Sequence, residues 1–265
     1  MPGELGARVI TALFLVAGFL AVLFLLPPVA TALVFALVTT LAAWEWAGLI
    51  KASQPYRKLF AGLVLLSCLV LWLRPADSFP VLWVMAALFW LGLMPFWLAT
   101  RRSVGSSGYL VGWVLLVPTW AALVDLHGRS PMLLLAVMAL VWIADIAAYF
   151  TGRAFGKHKL APAISPGKTW EGVVGAVLGV MIYGLWVADL LPATADVAPV
   201  FMVGALLLLT ALSVAGDLFE SMIKRQANMK DSSQLLPGHG GILDRIDSQT
   251  STLPVVALAL LLVRQ

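Results

Sequence analysis

Pro131-Met-Leu-Leu-Leu-Ala-Val-Met-Ala-Leu-Val-Trp-Ile-Ala-Asp145-Ile-Ala-Ala-Tyr149-Phe-Thr151 holds one charge in an otherwise apolar run. A helix rising 1.5 Å per residue needs about 20 such residues to cross the hydrocarbon of a bilayer. Lipid offers no partner for exposed backbone N–H and C=O groups, so a crossing segment of this composition is a helix. Asp145 lies a few residues inside the apolar zone. Intramembrane carboxylates are costly and normally serve a site in the bundle interior.

Comparable runs flank this one: Arg8–Leu26, Val29–Ile50, Lys58–Leu73, Pro80–Ala99, Tyr109–Leu126, Trp170–Leu191 and Pro199–Leu218. A last run, Leu253–Val263, is short. It crosses only if Ser248–Thr252 are buried against other helices, and is otherwise re-entrant. The sequence therefore predicts an all-α polytopic integral membrane protein with about nine transmembrane helices, eight of full length and the ninth short. Composition agrees: the 265 residues are 62% hydrophobic and 11% charged, against roughly a quarter charged in soluble domains. The first run lacks a small-residue cleavage site and reads as a retained span.

Alternating the spans from an inner N-terminus leaves only Arg74, Arg129 and Arg264 of the 17 basic residues outside. Positive charge prefers the cytoplasmic side, so the N-terminus is expected to be cytoplasmic. The net charge of +4 comes from short loops and gives no reason to expect nucleic acid. Cys68, the single cysteine, excludes a disulfide framework and a cysteine metal cluster. The inner loops Lys51–Lys58 and Thr100–Gly108 read as ordinary positive anchors. The chain divides into an N-terminal transmembrane region, 1–107, and a C-terminal one, 108–265, whose cytoplasmic loops 152–169 and 219–252 hold most of the polar chemistry.

Those two loops differ from the rest. In the second, Lys224, Arg225, Lys230 and Arg245 suit phosphates, while Asp217, Asp231, Asp244 and Asp247 suit a divalent cation. Asp217, Ser221 and Lys224 share one face of a continuing helix, for metal ligation or catalysis; the alternative is an Asp217–Lys224 pair at a solvated helix end. Gly238, Gly240 and Gly241 around His239 let a backbone turn approach an anion, unless the turn is a plain connector. His239 is either a phosphate donor or a hinge residue. In the first loop, Ser165, Lys168 and Thr169 could donate to phosphate ahead of a helix N-terminus, with Arg153 nearby. Ser165-Pro-Gly-Lys-Thr169 is not a nucleotide P-loop, because Pro162 stands where its first glycine belongs and no strand is expected before it. Glu45, between Trp44 and Trp46, reads as dipping into headgroups, and Asp125 and Asp189 as interfacial.

Ser221-x-x-Lys224-Arg225-x4-Lys230-Asp231-x4-Leu236-Pro237-Gly238-His239-Gly240-Gly241-x-x-Asp244-Arg245-x-Asp247 resembles the signature of the phosphatidate cytidylyltransferases (CDP-diacylglycerol synthases). Asp145-x-x-Ala148-Tyr149-x-x-Gly152-Arg153 and Ser165-Pro-Gly-Lys-Thr-Trp-Glu-Gly172 resemble that family's other cytoplasmic segment. The resemblance covers the C-terminal half well; the N-terminal half shares only its apolar spans. It implies transfer of CMP from CTP to phosphatidic acid, giving CDP-diacylglycerol and pyrophosphate for phospholipid biosynthesis. It also implies Mg²⁺, with a second cation left open, held by Asp217 and Asp244, and a homodimer in a bacterial inner membrane with its site facing the cytoplasm. Catalysis would fall to Asp217, Lys224, Arg225, Lys230, Asp231, His239, Asp244 and Arg245. Asp145, Tyr149, Arg153, Ser165, Lys168, Thr169, Ser221, Gly238, Gly240, Gly241 and Asp247 would meet the substrates. The rivals are another CTP-using membrane enzyme, either a lipid-alcohol kinase, which would yield CDP, or a transferase acting on a different phospholipid, and a secondary transporter with Asp145 and Asp217 as coupling carboxylates.

Overall fold

The computed structural model describes residues 13–14, 16–74, 79–188, 190–191, 197–236, 238 and 240–263. Residues 16–24 are helical, and eight further helices are long and apolar enough to cross a membrane. These are α1 (Pro28–Leu49), α2 (Gln54–Trp72), α3 (Phe79–Thr100), α4 (Gly108–Arg129), α5 (Pro131–Phe155), α6 (Trp170–Ala188), α7 (Pro199–Gln226) and α8 (Leu243–Val263). Part of the expected first span, together with Asp189, Pro237, His239 and Arg264, lies outside the described residues.

Proline starts several of these helices. Pro28, Pro55, Pro131 and Pro199 sit in the first turns of α1, α2, α5 and α7, where a missing N–H costs nothing and the fixed φ suits a helix. Ser130 completes the start of α5 by accepting from Leu133 N at 3.3 Å.

The short last run becomes a full span because α8 begins ten residues earlier than its apolar stretch, at Leu243. Ser248, Gln249, Thr250, Ser251 and Thr252 are all buried. Their hydroxyls are satisfied: Ser248 Oγ donates to Ser213 O at 3.1 Å, Ser251 Oγ to Leu212 O at 2.7 Å and Thr252 Oγ1 to Ser248 O at 2.9 Å. Pro254 has no N–H for the carbonyl one turn back. That freed oxygen, Thr250 O, instead accepts from the Trp90 indole at 2.9 Å. Helix α8 is thereby fastened to α7 and to α3.

Two further features position the loop-bearing end. Phe219 on α7 stacks with Trp46 and Trp97 and meets Phe89 and Trp90 edge-on, so α1 and α3 grip the helix two residues beyond Asp217. Trp46 also donates to Gly108 O at 2.8 Å. At Gly216 a Cβ would come within 2.9 Å of Asp247 O and 2.7 Å of Ser251 Oγ. Only glycine lets α7 and α8 approach so closely, and that approach brings Asp217 toward Asp247.

The loop between α5 and α6 is not wholly irregular. Residues Lys159–Ala161 (β1) and Ser165–Thr169 (β2) pair antiparallel, with Lys159 opposite Thr169 and Ala161 opposite Ser165. This hairpin is a small addition to the expected all-α fold, and it corrects only the expectation that no strand precedes Ser165. Ser165 precedes a proline, which biases it to extended backbone, and Trp170 N closes the hairpin onto His158 O at 2.9 Å.

A candidate active site where two loops meet

The hairpin and α7 meet through Lys168, whose ammonium lies 2.6 Å from Asp217 Oδ2. Ser221 donates to the other Asp217 oxygen at 3.2 Å. Asp145 on α5 and Asp247 on α8 lie close enough for their charges to interact with Asp217. Three carboxylates from three helices therefore converge, with one lysine delivered by the hairpin. The Asp217–Lys224 pair weighed from sequence does not form.

Lys224 turns elsewhere. It bridges Asp244 Oδ1 at 2.7 Å and the buried Glu220 at 3.2 Å. In this arrangement Lys224 is engaged by two carboxylates, one of its own helix and one of α8. Asp244 is equally engaged. Its Oδ2 accepts from Gly241 N at 2.7 Å, Ser232 N at 2.9 Å and Ser232 Oγ at 3.0 Å, beside Lys224 on Oδ1. A carboxylate has about four lone-pair sites, and here they are filled by protein donors. Asp244 thus folds the loop over the first turn of α8, where a negative charge is also favoured by the helix dipole. As placed it does not form the open metal pair with Asp217 expected from sequence.

The glycine turn is built around this clasp. Gly238 and Gly240 have φ of 75° and 80°, a region that side chains avoid. A Cβ at Gly240 would come 2.8 Å from Asp244 Oδ2. Leu236 N donates to Gly240 O at 2.9 Å and closes the turn.

Glu45 corrects the largest misreading. It is completely buried and accepts from Ser233 Oγ at 2.5 Å, Leu243 N at 2.7 Å, Ile242 N at 3.0 Å and Ser232 Oγ at 3.1 Å. A carboxylate from α1 thereby caps α8 and ties down the loop in front of it. Arg57 lies within electrostatic reach of Glu45, stacks on Trp44 with its guanidinium 3.7 Å from the ring centre, and donates to Trp44 O at 3.2 Å. Arg57, expected in a loop of positive anchors, stands in the first turn of α2 and does more than anchor charge. Glu45 and Glu220 could have been found by applying to them the rule applied to Asp145, that a carboxylate in an apolar span has a partner. The flanking tryptophans misdirected that inference, because Trp46 is core and not interface.

Thr169 is buried, and its hydroxyl oxygen caps α6 by accepting from Gly172 N at 3.2 Å. Arg153 donates to the Tyr149 hydroxyl at 2.9 Å on an exposed face of α5. Arg225, Lys230, Asp231, Gly238 and Arg245 are exposed around the clasp, Ser165 is half-buried in β2, and Arg225 reaches Met229 O at 3.4 Å. Gln226 donates to Arg101 O and Arg102 O, each at 3.2 Å, fixing the end of α7 to the α3–α4 loop. Asp125 pairs with Arg129 at 2.7 Å, away from these groups in sequence and partner.

An array of fixed carboxylates ringed by exposed cations, and bedded on apolar helices, suits a phosphate-bearing amphiphile. The sequence matches the cytidylyltransferase family over residues 6–263. The chain belongs to that family. Among its relatives, a Pseudomonas aeruginosa protein named phosphatidate cytidylyltransferase is 42% identical, with 96% of each chain covered. A Haemophilus influenzae protein of the same name is 37% identical over 93% of this chain and 95% of its own. An uncharacterised Escherichia coli protein, YnbB, is 35% identical over 83% of this chain and 76% of its own. The cytidylyltransferase match runs through both halves of the chain, including the segment that supplies Glu45.

Proposed function

We propose that this protein is a phosphatidate cytidylyltransferase, a nucleotidyltransferase of phospholipid synthesis acting on CTP and phosphatidic acid at a membrane. The observation that carries the reading is the convergence of Lys168 from the hairpin with Asp145, Asp217 and Asp247 from three helices, in a chain related along its whole length to enzymes of that name. A lipid phosphate is ionised at neutral pH and needs no base to become a nucleophile. Its oxygen attacks the α-phosphorus of CTP, the bond to the bridging oxygen breaks, and pyrophosphate leaves. Such chemistry rests on positioning and charge neutralisation.

The residues fit a magnesium ion, though not at the pair expected from sequence. Among the described residues no three His, Cys, Asp or Glu side chains are gathered to hold a metal by themselves. Mg²⁺ typically takes one or two carboxylates and completes its shell with substrate phosphates and water. Asp217, with Asp145 or Asp247 beside it, offers such a donor set; Asp244 does not. The ion would supply neutralisation of phosphate charge. Lys168 would hold Asp217 in place and present positive charge to the same phosphates. Exposed Arg225, Lys230, Arg245 and Arg153 would draw in both anionic substrates, and the Asp244–Glu45 clasp would keep the glycine turn in its φ > 0 form. The same reading places the site on the cytoplasmic side of a bacterial inner membrane, supported by the positive-inside bias, and takes a homodimer from the family resemblance. Product analysis tests it: purified protein given both substrates should yield CDP-diacylglycerol and pyrophosphate in equal amounts. CDP with a phosphorylated lipid alcohol, in a parallel reaction given diacylglycerol in place of phosphatidic acid, would make it a kinase, and solute uptake without CTP a transporter.

A further inference from the structure

At the other end of α5–α8 the helices separate around a cavity of about 370 Å³ whose walls are almost wholly apolar. Val137, Val187, Ala205, Leu209, Val256 and Ala259 line it; Leu208, within α7, is exposed on the lipid-facing side, as are Phe201 and Leu262 near the helix ends, so the cavity opens outward. A smaller void of about 10 Å³, bounded by Val137, Leu209 and Val256 together with Ala144, Ser213 and Thr252, continues the same seam toward the carboxylates. At 1.5 Å per residue, the cavity begins about 8–12 Å and ends about 18–24 Å along the helices from Asp145, Asp217 and Asp247. One leaflet of hydrocarbon is roughly 15 Å deep. A lipid whose phosphate rests at the carboxylates therefore carries the ends of its chains to the level of this cavity.

We propose that the cavity is an acyl-chain subsite, which receives the distal part of one fatty-acid tail of the lipid substrate from the bilayer side. The inference rests on the lipid-substrate reading above and deepens it. Its volume suits the role: a dry 150 Å³ cavity accepts benzene, so about 370 Å³ has ample room for the distal carbons of one tail. The cavity and the polar site share α5, α7 and α8, the helices that carry all three carboxylates. The cavity then sets which tail lengths are processed efficiently, because only long chains bury their ends in it.

The test compares dioctanoyl with dipalmitoyl phosphatidic acid in mixed micelles of fixed composition, for the unaltered protein and for Ala259→Phe and Ala205→Phe, which fill the cavity far from the carboxylates. Each variant should lower the dipalmitoyl-to-dioctanoyl ratio of kcat/KM at least fivefold and leave dioctanoyl turnover nearly unchanged. Occupancy is read separately with phosphatidic acid bearing a photoactivatable group at the tail end. It should label the 201–209 stretch of α7, and Ala259→Phe should abolish that label. An unchanged ratio, an equal loss on both substrates, a changed oligomeric state with an unchanged ratio, or labelling confined to other helices would overturn the subsite. Absence of turnover in the unaltered protein, with tail labelling intact, would refute the chemistry and keep the subsite.

Discussion

Glu45→Gln is the perturbation that most sharply separates a headgroup-dipping carboxylate from a clasp. Four donors converge on the two oxygens of Glu45: Ser233 Oγ and Ile242 N on one, Ser232 Oγ and Leu243 N on the other. Glutamine keeps one acceptor and places an NH₂ where the second was. A serine hydroxyl can rotate to accept from that NH₂, but a backbone N–H cannot. One buried N–H is then left without a partner, costing about 1–3 kcal/mol. Glu45→Ala strands both backbone N–H groups, for about 2–6 kcal/mol. Since about 1.4 kcal/mol is tenfold in an equilibrium, opening of the 232–243 loop should rise roughly tenfold or more in Gln and further in Ala. Amide exchange read by mass spectrometry in detergent should show this rise in peptides covering 229–246, with α4 and α5 unchanged. CTP turnover should fall in the same order while the folded protein remains recoverable. Exchange and turnover equal to the unaltered protein in Glu45→Gln would refute the clasp.

Asp217→Asn should lower turnover by about 100-fold or more with little change in melting temperature, since its partner Lys168 is partly exposed; retention of substantial activity would remove Asp217 from the site. Asp244→Ala should do the reverse of a simple ligand loss, lowering thermal stability by about 3–5 kcal/mol because Lys224, Ser232 N and Gly241 N lose their acceptor. A stable but inactive Asp244→Ala would instead argue for a ligand role. Thr169→Val should cost about 0.5–2 kcal/mol through the lost α6 cap and leave the KM for CTP unchanged; a raised KM would restore Thr169 as a substrate contact. Chelation should stop turnover and Mg²⁺ restore it, with turnover in the presence of excess chelator contradicting the cation reading.

The spans were legible because hydrocarbon thickness fixes their length, and every apolar run among the described residues proved helical to within a turn or two. The last span was not, because its first half is polar and depends on carbonyls of α7 that no local pattern reveals. Lys168 was legible as a site residue from its loop, yet its pairing with Asp217 was not, since one lies on a hairpin and the other on α7, and they meet only through the packing of α6 and α7. Asp244 and Lys224 read as ligands because sequence shows charge but not what already satisfies it. Glu45 was hidden for the opposite reason: its partners are backbone groups and serines nearly two hundred residues away.

The central claim is the bond that is broken in CTP. Purified protein should be given phosphatidic acid, Mg²⁺ and CTP labelled separately at the α- and γ-phosphates, with Asp217→Asn in parallel. The account predicts α-label in the lipid phase, γ-label in pyrophosphate in equal amount, and neither with the variant. Label from the γ-position entering lipid, or products undiminished in Asp217→Asn, would contradict it.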